Sequence, residues 1–471
     1  MTRSRHRYLW FAVGVVLVTI FAYTFFRPFA ADLLRLAKKI PPQPPFAIGD
    51  RTLIVAPHPD DETLGGAGVI QRALAAGKRV KVVIMTNGDG FRRAAEENFM
   101  TIEPGPDDFR RLGQARRLES LNALKHFGVP EANVVFLGYP DGGVNSLWES
   151  DWDYDHLHKG LNGSVRSPYD FSYEKNAPYC GENVLKNLSE IFREFQPTDV
   201  VYPDPNDQHH DHWATSAFVK YLLTEQNYQV REWTYLVHRG DFPVPWRYEP
   251  SLPLHPPHVL AGLDTHWIYI PVTEQEETKK KAAIDKYATQ TKVMGPYLHA
   301  FVRANELLGT YKDPVLPTVS GTPDFSDPNR LPYTLFFDAY ADTFRRQVER
   351  QADIMAVGGV LTNEKFHIGL ETGGPISPQV MYNVRIRIFQ PTGVKRLDLT
   401  VQNSKVSARK YAGNSLDLPS GTIVQVQGNR LWISLPRDSI DGTTSLLVAA
   451  DTFIEVERID KTAWRLIKLT K

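Results

Sequence analysis

Between residues 52 and 239 short β-branched runs alternate with stretches of helical period, and that alternation constrains the fold more than any other feature of the chain. The strands read as TLIVAP (52–57), VKVVIMT (80–86), NVVFLGYP (133–140), DVVYPD (199–204) and WTYLVHR (233–239). Helices are predicted near 63–77, 108–127, 181–195 and 212–225. Apolar strands joined by amphipathic helices are βαβ units, so the fold class is α/β, with a Rossmann-like, mostly parallel sheet covered by helices on both faces. Ligands bind such sheets at the carboxyl ends of the strands, which is where the polar clusters of this chain fall.

The texture changes after residue 273. Residues 274–308 read as a long helical region broken near Gly295, 314–332 as a Pro- and Gly-rich connection, and 335–356 as helical. Alternating runs at 384–390, 397–402, 422–427, 431–436 and 445–450 then predict a small, mainly antiparallel β-sandwich or barrel. At the other end, residues 8–26 carry no charge and follow Arg3, Arg5 and Arg7. Nineteen apolar positions approach the roughly 20 of a membrane span, and no small-x-small cleavage site stands out. The expectation is a single-pass membrane anchor at 1–30, with the catalytic part outside the cytoplasm. A Pro-rich linker (31–48), a catalytic domain (49–312), a connecting segment (313–361) and a C-terminal β-sandwich-like domain (362–471) complete the predicted layout.

Lysine plus arginine equals aspartate plus glutamate, 54 each, with no basic block, so no nucleic-acid partner is indicated. The single cysteine, Cys180, excludes both an intramolecular disulfide and a thiolate metal cluster. A dinucleotide GxGxxG, a P-loop and a GxSxG elbow are all missing from the strand ends. What those ends carry is APHPDDE (56–62) after the first strand and DQHHDH (207–212) after the fourth. Catalytic zinc takes three nitrogen or oxygen ligands and leaves one position for water, a count that a histidine, a carboxylate and a second histidine meet. Each half alone has a plainer reading: a loop histidine beside a helix-capping carboxylate, or Asp211 capping a helix beneath solvated histidines. Together, on two strand ends of one sheet, they point to a metal-assisted hydrolase with a carboxylate base.

APHPDDE with a later HxDH resembles the PIG-L or LmbE-like N-acetylglucosaminyl deacetylases. The likeness extends through Asn87-Gly88, Arg116 with Glu119, LGYPDG (137–142) and KYATQ (286–290), roughly residues 50 to 300. The resemblance implies that His58, Asp61 and His212 bind Zn2+, or another divalent metal such as Fe2+. It implies Asp60 as general base, His209 as oxyanion partner or proton donor to the amine, and Arg116 and Asp141 as contacts to the sugar. The implied reaction is removal of an N-acetyl group from a GlcNAc-containing glycan or glycolipid, which with the anchor pointed to the cell envelope or an exopolysaccharide. This chain has His210 where the family pattern has proline, and His210 is expected to face outward. His238 is placed to approach the same crevice, with a structural role the plainer reading. An insertion at 144–180, rich in Trp, Tyr and His, is read as shaping glycan choice, against simple packing on the sheet. Two rivals remain open: another zinc amidohydrolase acting on a small acylated amino-sugar conjugate, and a membrane-tethered glycan-binding protein without activity.

Overall fold

The computed structural model describes residues 40–41, 46–327, 330–339, 344–409 and 414–469. Strands β1 (Arg51–Ala56), β2 (Arg79–Thr86), β3 (Val134–Tyr139), β4 (Asp199–Pro203) and β5 (Arg231–Tyr235) are parallel. An antiparallel pair, β6 (Thr265–Pro271) and β7 (Asn305–Tyr311), extends the sheet past β5, giving the order β3-β2-β1-β4-β5-β7-β6. Since β1 pairs with β2 on one side and β4 on the other, the winding reverses between β1 and β4 and a crevice opens at their carboxyl ends. Ile54 and Ala56 join one core while Leu53 and Val55 join the other, so β1 is apolar throughout because both its faces are covered. Helix Gly181–Phe195 shows the matching logic: Val184, Leu188, Ile191, Phe192 and Phe195 recur on one side and are buried against the second face.

The C-terminal part is two facing sheets. One has the order β15 (Ile423–Gln427), β16 (Arg430–Pro436), β11 (Lys365–Thr372), β10 (Ile354–Leu361), β9 (Thr334–Phe337). The other runs β14 (Lys405–Ala408), β13 (Gly393–Gln402), β12 (Val380–Gln390), β17 (Ser445–Ile454), β19 (Arg465–Leu469), β8 (Val315–Leu316), with β18 (Glu457–Lys461) beside β17. Phe366, Ile368, Leu431 and Ile433 of the first meet Val384, Ile386, Leu446 and Val448 of the second. The segment 313–361 is therefore not a plain connection, because it contributes β8, β9 and β10. The helix expected over 335–356 is replaced by strands and the short helix Phe344–Val348, since long-range pairing overrides local pattern there. Likewise 274–308 ends in β7 after helices Glu274–Ile284 and Ala288–His299.

The second sheet is covered on both sides. Leu446 and Val448 face the sandwich core, and Leu447 and Ala449 pack with Phe389, Trp464 and Leu466 onto the helices of the first half. Arginines inside a strand ordinarily mark a solvent face, yet Arg387 is fully buried between Trp148 and Trp464, its guanidinium 5.4 and 4.9 Å from their ring centres. Its Nη1 donates to Asp398 Oδ1 at 2.8 Å. The two tryptophans of the aromatic insertion are spent on this junction: Trp148 and Trp152 pack against Phe218 and Tyr221.

The membrane anchor is withdrawn. No helix among the described residues is long and apolar enough to cross a membrane, and the segment 8–26 on which the expectation rested lies outside them, with most of 31–48. The extracytoplasmic placement built on that anchor falls with it.

Because Trp148 is enclosed by four aromatic rings, Trp148→Ala is expected to cost about 3–5 kcal/mol of stability. Denaturant unfolding of the full chain measures it.

Candidate metal and hydrolase centre

The loop leaving β1 turns sharply at Asp60, whose φ of 130° is one that a non-glycine residue keeps only when its surroundings hold it. Glu62 is the main hold: its Oε2 accepts the Asp60 backbone N–H at 2.9 Å. Its Oε1 accepts the hydroxyls of Ser120 and, at 2.8 Å, Tyr287. The loop leaving β4 is fixed by Asp207, which accepts backbone N–H groups of His209 (2.9 Å), Val237 (3.1 Å) and His238 (3.0 Å). His209 then caps helix His210–Glu225, its Nδ1 accepting the Asp211 N–H at 3.2 Å. A backbone N–H can only donate, so the proton of a neutral His209 resides on Nε2.

The two loops meet at the crevice. His58 Nδ1 and His212 Nε2 each lie 3.1 Å from Asp61 Oδ2 and 3.3 Å from one another. Ligands about 2.0–2.1 Å from a tetrahedral metal stand roughly 3.3 Å apart, so the triangle fits such an ion. The remaining imidazole nitrogens face carboxylates, as metal-binding histidines do. His212 Nδ1 is 3.1 Å from Asp207 Oδ2, and His58 Nε2 is 3.1 Å from Asp141 Oδ1 and 3.2 Å from Asp211 Oδ2. Asp211 also accepts the N–H groups of Gly142 (2.7 Å) and Val144 (3.0 Å). Asp61 Oδ1 is buried without a hydrogen-bond partner among the described residues, 3.9 Å from His238 Nε2. A buried, unsatisfied carboxylate oxygen beside two imidazoles is what an ion would complete, and the group fits one.

The electrostatics agree. Burial pulls the His58 and His212 pKa values down, but it is outweighed at His58 by Asp141, Asp211 and Asp61, and at His212 by Asp207 and Asp61; His58 ends well above its ordinary value and His212 at about 9. The carboxylates thus demand positive charge here, which protons supply when a metal does not. Burial raises Asp60 to about 8 despite Arg116, with Asp61 and Glu62 pushing the same way. His209 is lowered to about 4 and His238 to about 3, by burial first and then by the neighbouring imidazoles.

A cleft of about 370 Å³ opens above this centre, lined by His58, Asp60, Arg116, Asp141, His209 and His238 together with Phe91, Leu161, Met294 and Tyr297. All seven residues singled out in the sequence meet here, though two are engaged differently from the expectation. Arg116 is turned to the protein, donating to Asp60 Oδ2 (3.1 Å), Pro59 O (2.7 Å) and Gly88 O (2.9 Å). Gly88 allows that approach, for a Cβ there would stand 2.1 Å from the guanidinium. Glu119 does not pair with Arg116; it accepts the Thr289 N–H and hydroxyl, each at 2.7 Å. Asp141 holds His58 and accepts the Gly90 N–H at 2.7 Å, and its carboxylate borders the cleft. His210 is exposed and lines a different cavity, beside Arg458 and Lys461. Sequence reasoning offered Glu62 and Asp211 only as helix-end carboxylates in the plainer readings and gave no role to Asp207, although each carboxylate stood inside the two motifs. It also undervalued His238, whose place at the end of a strand was the available signal.

His58, Asp61, His212 and His238 form a group that could hold a metal ion at the strand ends of a doubly wound sheet, and the comparisons add a family likeness. Residues 53–223 match the family model for GlcNAc-PI de-N-acetylase, PIG-L. A curated relative, the 1D-myo-inositol 2-acetamido-2-deoxy-alpha-D-glucopyranoside deacetylase of Streptomyces scabiei (strain 87.22), is 30% identical over 131 residues, covering 25% of this chain. The match spans 39% of that relative's length. Among solved structures, N,N'-diacetylchitobiose deacetylase from Pyrococcus horikoshii is 20% identical over 61% of this chain and 93% of its own, with a TM-score of 0.35. Teicoplanin deacetylase Orf2, in a zinc inhibited form, is 19% identical over 56% of this chain and 99% of its own, with a TM-score of 0.37.

Removing the carboxylate that orients His212, by Asp207→Asn, is expected to weaken metal affinity about 10- to 100-fold. Competition with a chromophoric chelator checks it.

Proposed function

We propose that the chain is a zinc-dependent hydrolase that removes the acetyl group from the amine of a GlcNAc-containing glycan or glycoconjugate. The observation that carries this reading is Asp60, clamped by Arg116 next to the His58–Asp61–His212 triangle and open to the cleft. The family match over residues 53–223 supports the reaction class, and the named substrate of the Streptomyces relative, a GlcNAc-type glycoside, supports the sugar. The proposed catalytic unit is 49–312, braced by the β-sandwich. An envelope polymer as substrate rested on the anchor and is not carried forward.

A divalent cation held by His58, Asp61 and His212, zinc or Fe2+, would bring the pKa of a water towards about 7 and polarise the acetyl carbonyl. Asp60 takes a proton from the attacking water as its oxygen bonds to the carbonyl carbon, and the C=O electron pair moves to oxygen. His209, neutral at pH 7 with its proton on Nε2, donates a hydrogen bond to the oxyanion. The Asp60 carboxyl then hands its proton to the amide nitrogen as the C–N bond breaks, releasing the free amine and acetic acid, which ionises to acetate. Arg116 keeps the Asp60 carboxylate aimed and favours its charged form. His58 and His212 stay fixed by their carboxylates throughout.

Acetate release from GlcNAc, its oligosaccharides and small GlcNAc conjugates tests the proposal. Asp60→Asn is expected to lower kcat about 10²- to 10⁴-fold with zinc still bound. Retained activity in that variant, or inactivity of the zinc-loaded wild type on every sugar, would overturn it. The Arg116 charge lowers the Asp60 pKa, so its removal raises it. In Arg116→Ala the acid limb of the kcat/KM–pH profile is therefore expected to move to higher pH, together with a lower plateau.

A further inference from the structure

The loops that place His209 and His238 in the cleft present other residues to a second cavity, of about 240 Å³: Asp207, Gln208 and His210 from one loop and its helix, Arg239 from the other. The two cavities share no lining residue. The second is bounded also by β18, from Arg458 to Lys461, so both halves of the molecule enclose it.

Arg239, Arg346, Arg458 and Lys461 line this cavity, and each arginine has a carboxylate. Arg239 pairs with Asp241 at 2.9 Å, Arg346 with Asp460 at 2.7 Å and Arg458 with Glu149 at 2.6 Å. Lys461 makes no ion pair among the described residues. Its Nζ donates to Thr462 O at 2.9 Å and stands 4.0 Å from the ring centre of Trp213. Arg458 adds an unmet donor, its Nε being buried without a hydrogen-bond partner among the described residues. The acids that line the cavity do not supply the missing charge. Asp207 is committed to His212 at 3.1 Å, Asp460 to Arg346 and to the Ile354 N–H at 2.6 Å, and Asp338 is engaged as well. Burial holds the Lys461 ammonium down to about 7, a drop that Glu149, Asp451 and Asp338 do not offset and that Arg458 deepens. An ammonium left with one carbonyl and an indole face is short of a counter-charge.

We infer that this cavity is a second binding site, which takes a monocarboxylate with a body about the size of one six-membered ring and sets the carboxylate on Lys461 and Arg458. The charges choose the head group. One ammonium lacks a partner, while the carboxylates already in the wall oppose a dianion such as a phosphate monoester. A carboxylate has two accepting oxygens, enough for the Lys461 ammonium and the Arg458 Nε–H together. The volume chooses the body. An apolar cavity of about 150 Å³ takes benzene, so about 240 Å³ leaves room for a ring beside the head group, against Trp213, Ile459 and Ala463. An aromatic acid and a sugar acid share this chemistry, and the experiment separates them. The site lies outside the cleft, and its test does not depend on the deacetylase reading.

Titration calorimetry on the full zinc-loaded chain compares benzoate, glucuronate, acetate and inorganic phosphate at fixed ionic strength and pH 6.5, where most of the Lys461 ammonium is charged. The expected result is one site per chain that prefers a ring-bearing acid to acetate and to phosphate; the tighter of benzoate and glucuronate then names the body. Lys461→Met is expected to weaken that acid about 10- to 100-fold, the scale of one charge-assisted hydrogen bond, and Lys461→Arg to keep most of the affinity. Ala463→Leu, which fills the space beside the head group, is expected to weaken the ring-bearing acid and spare acetate. A carboxylate held by the metal in the cleft would bind wild type and Lys461→Met alike, and that result overturns the site. No binding by the wild type, a preference for phosphate, or acetate bound as tightly as the ring-bearing acids also overturns it. Should Lys461→Met not fold, as circular dichroism would show, Ala463→Leu decides: unchanged binding of the ring-bearing acid in that variant overturns the site.

Discussion

Negative charge buried in a small volume is the constraint around which the first half is organised. Asp61, Asp141, Asp207 and Asp211 all turn their carboxylates inward on His58 and His212, and interior carboxylates persist only when cations and hydrogen-bond donors surround them. The donors are mostly backbone N–H groups from loops after β2, β3, β4 and β5, so nearly every strand end of the parallel sheet is committed to the same cluster. The cation is either a proton on each imidazole or a metal shared between them. One arrangement therefore explains the geometry of the loops, the displaced pKa values and the fit to an ion.

The same economy governs Asp60. Its unusual backbone conformation is maintained by Glu62, and Glu62 by Ser120 and Tyr287, which come from two different helical regions. Arg116 reaches across from the Ser120 helix to the Asp60 carboxylate, while Glu119 on that helix anchors the helix bearing Gln290 and Tyr297. Residues that a motif list would assign to substrate also assemble the base and the cleft wall.

The juxtaposition of His58, Asp61 and His212 was legible because they sit in two short motifs at strand ends, and βαβ winding brings strand ends together without further information. The roles of Arg116 and of the aromatic insertion were not. Both depend on which distant surface a side chain meets, and neither the Asp60 carboxylate nor the Trp464–Arg387 pair is local to them. The strands at 315–316, 334–337 and 354–361 were missed because pairing makes them strands: β8 pairs with β19 at the far end of the chain, while β9 and β10 pair with each other and β10 with β11. The buried arginines of β12, Arg385 and Arg387, show the converse, where a polar pattern does not reveal whether a side chain meets water or the other half of the molecule.

Arg387, sandwiched between Trp148 and Trp464, gives the molecule a direction in time. Synthesis places the insertion and the helix after His212 in the world hundreds of residues before Trp464 and β19 exist, and β8, which follows the first half, waits for the same strand to pair. Domains generally fold as units while the chain emerges, but here the aromatic back of the first half is left wet until the final strands arrive. The sandwich thus behaves less as an appended module than as a late-arriving clasp. Nascent chains stalled before residue 464 are the ones that present aggregation-prone surface to the cell.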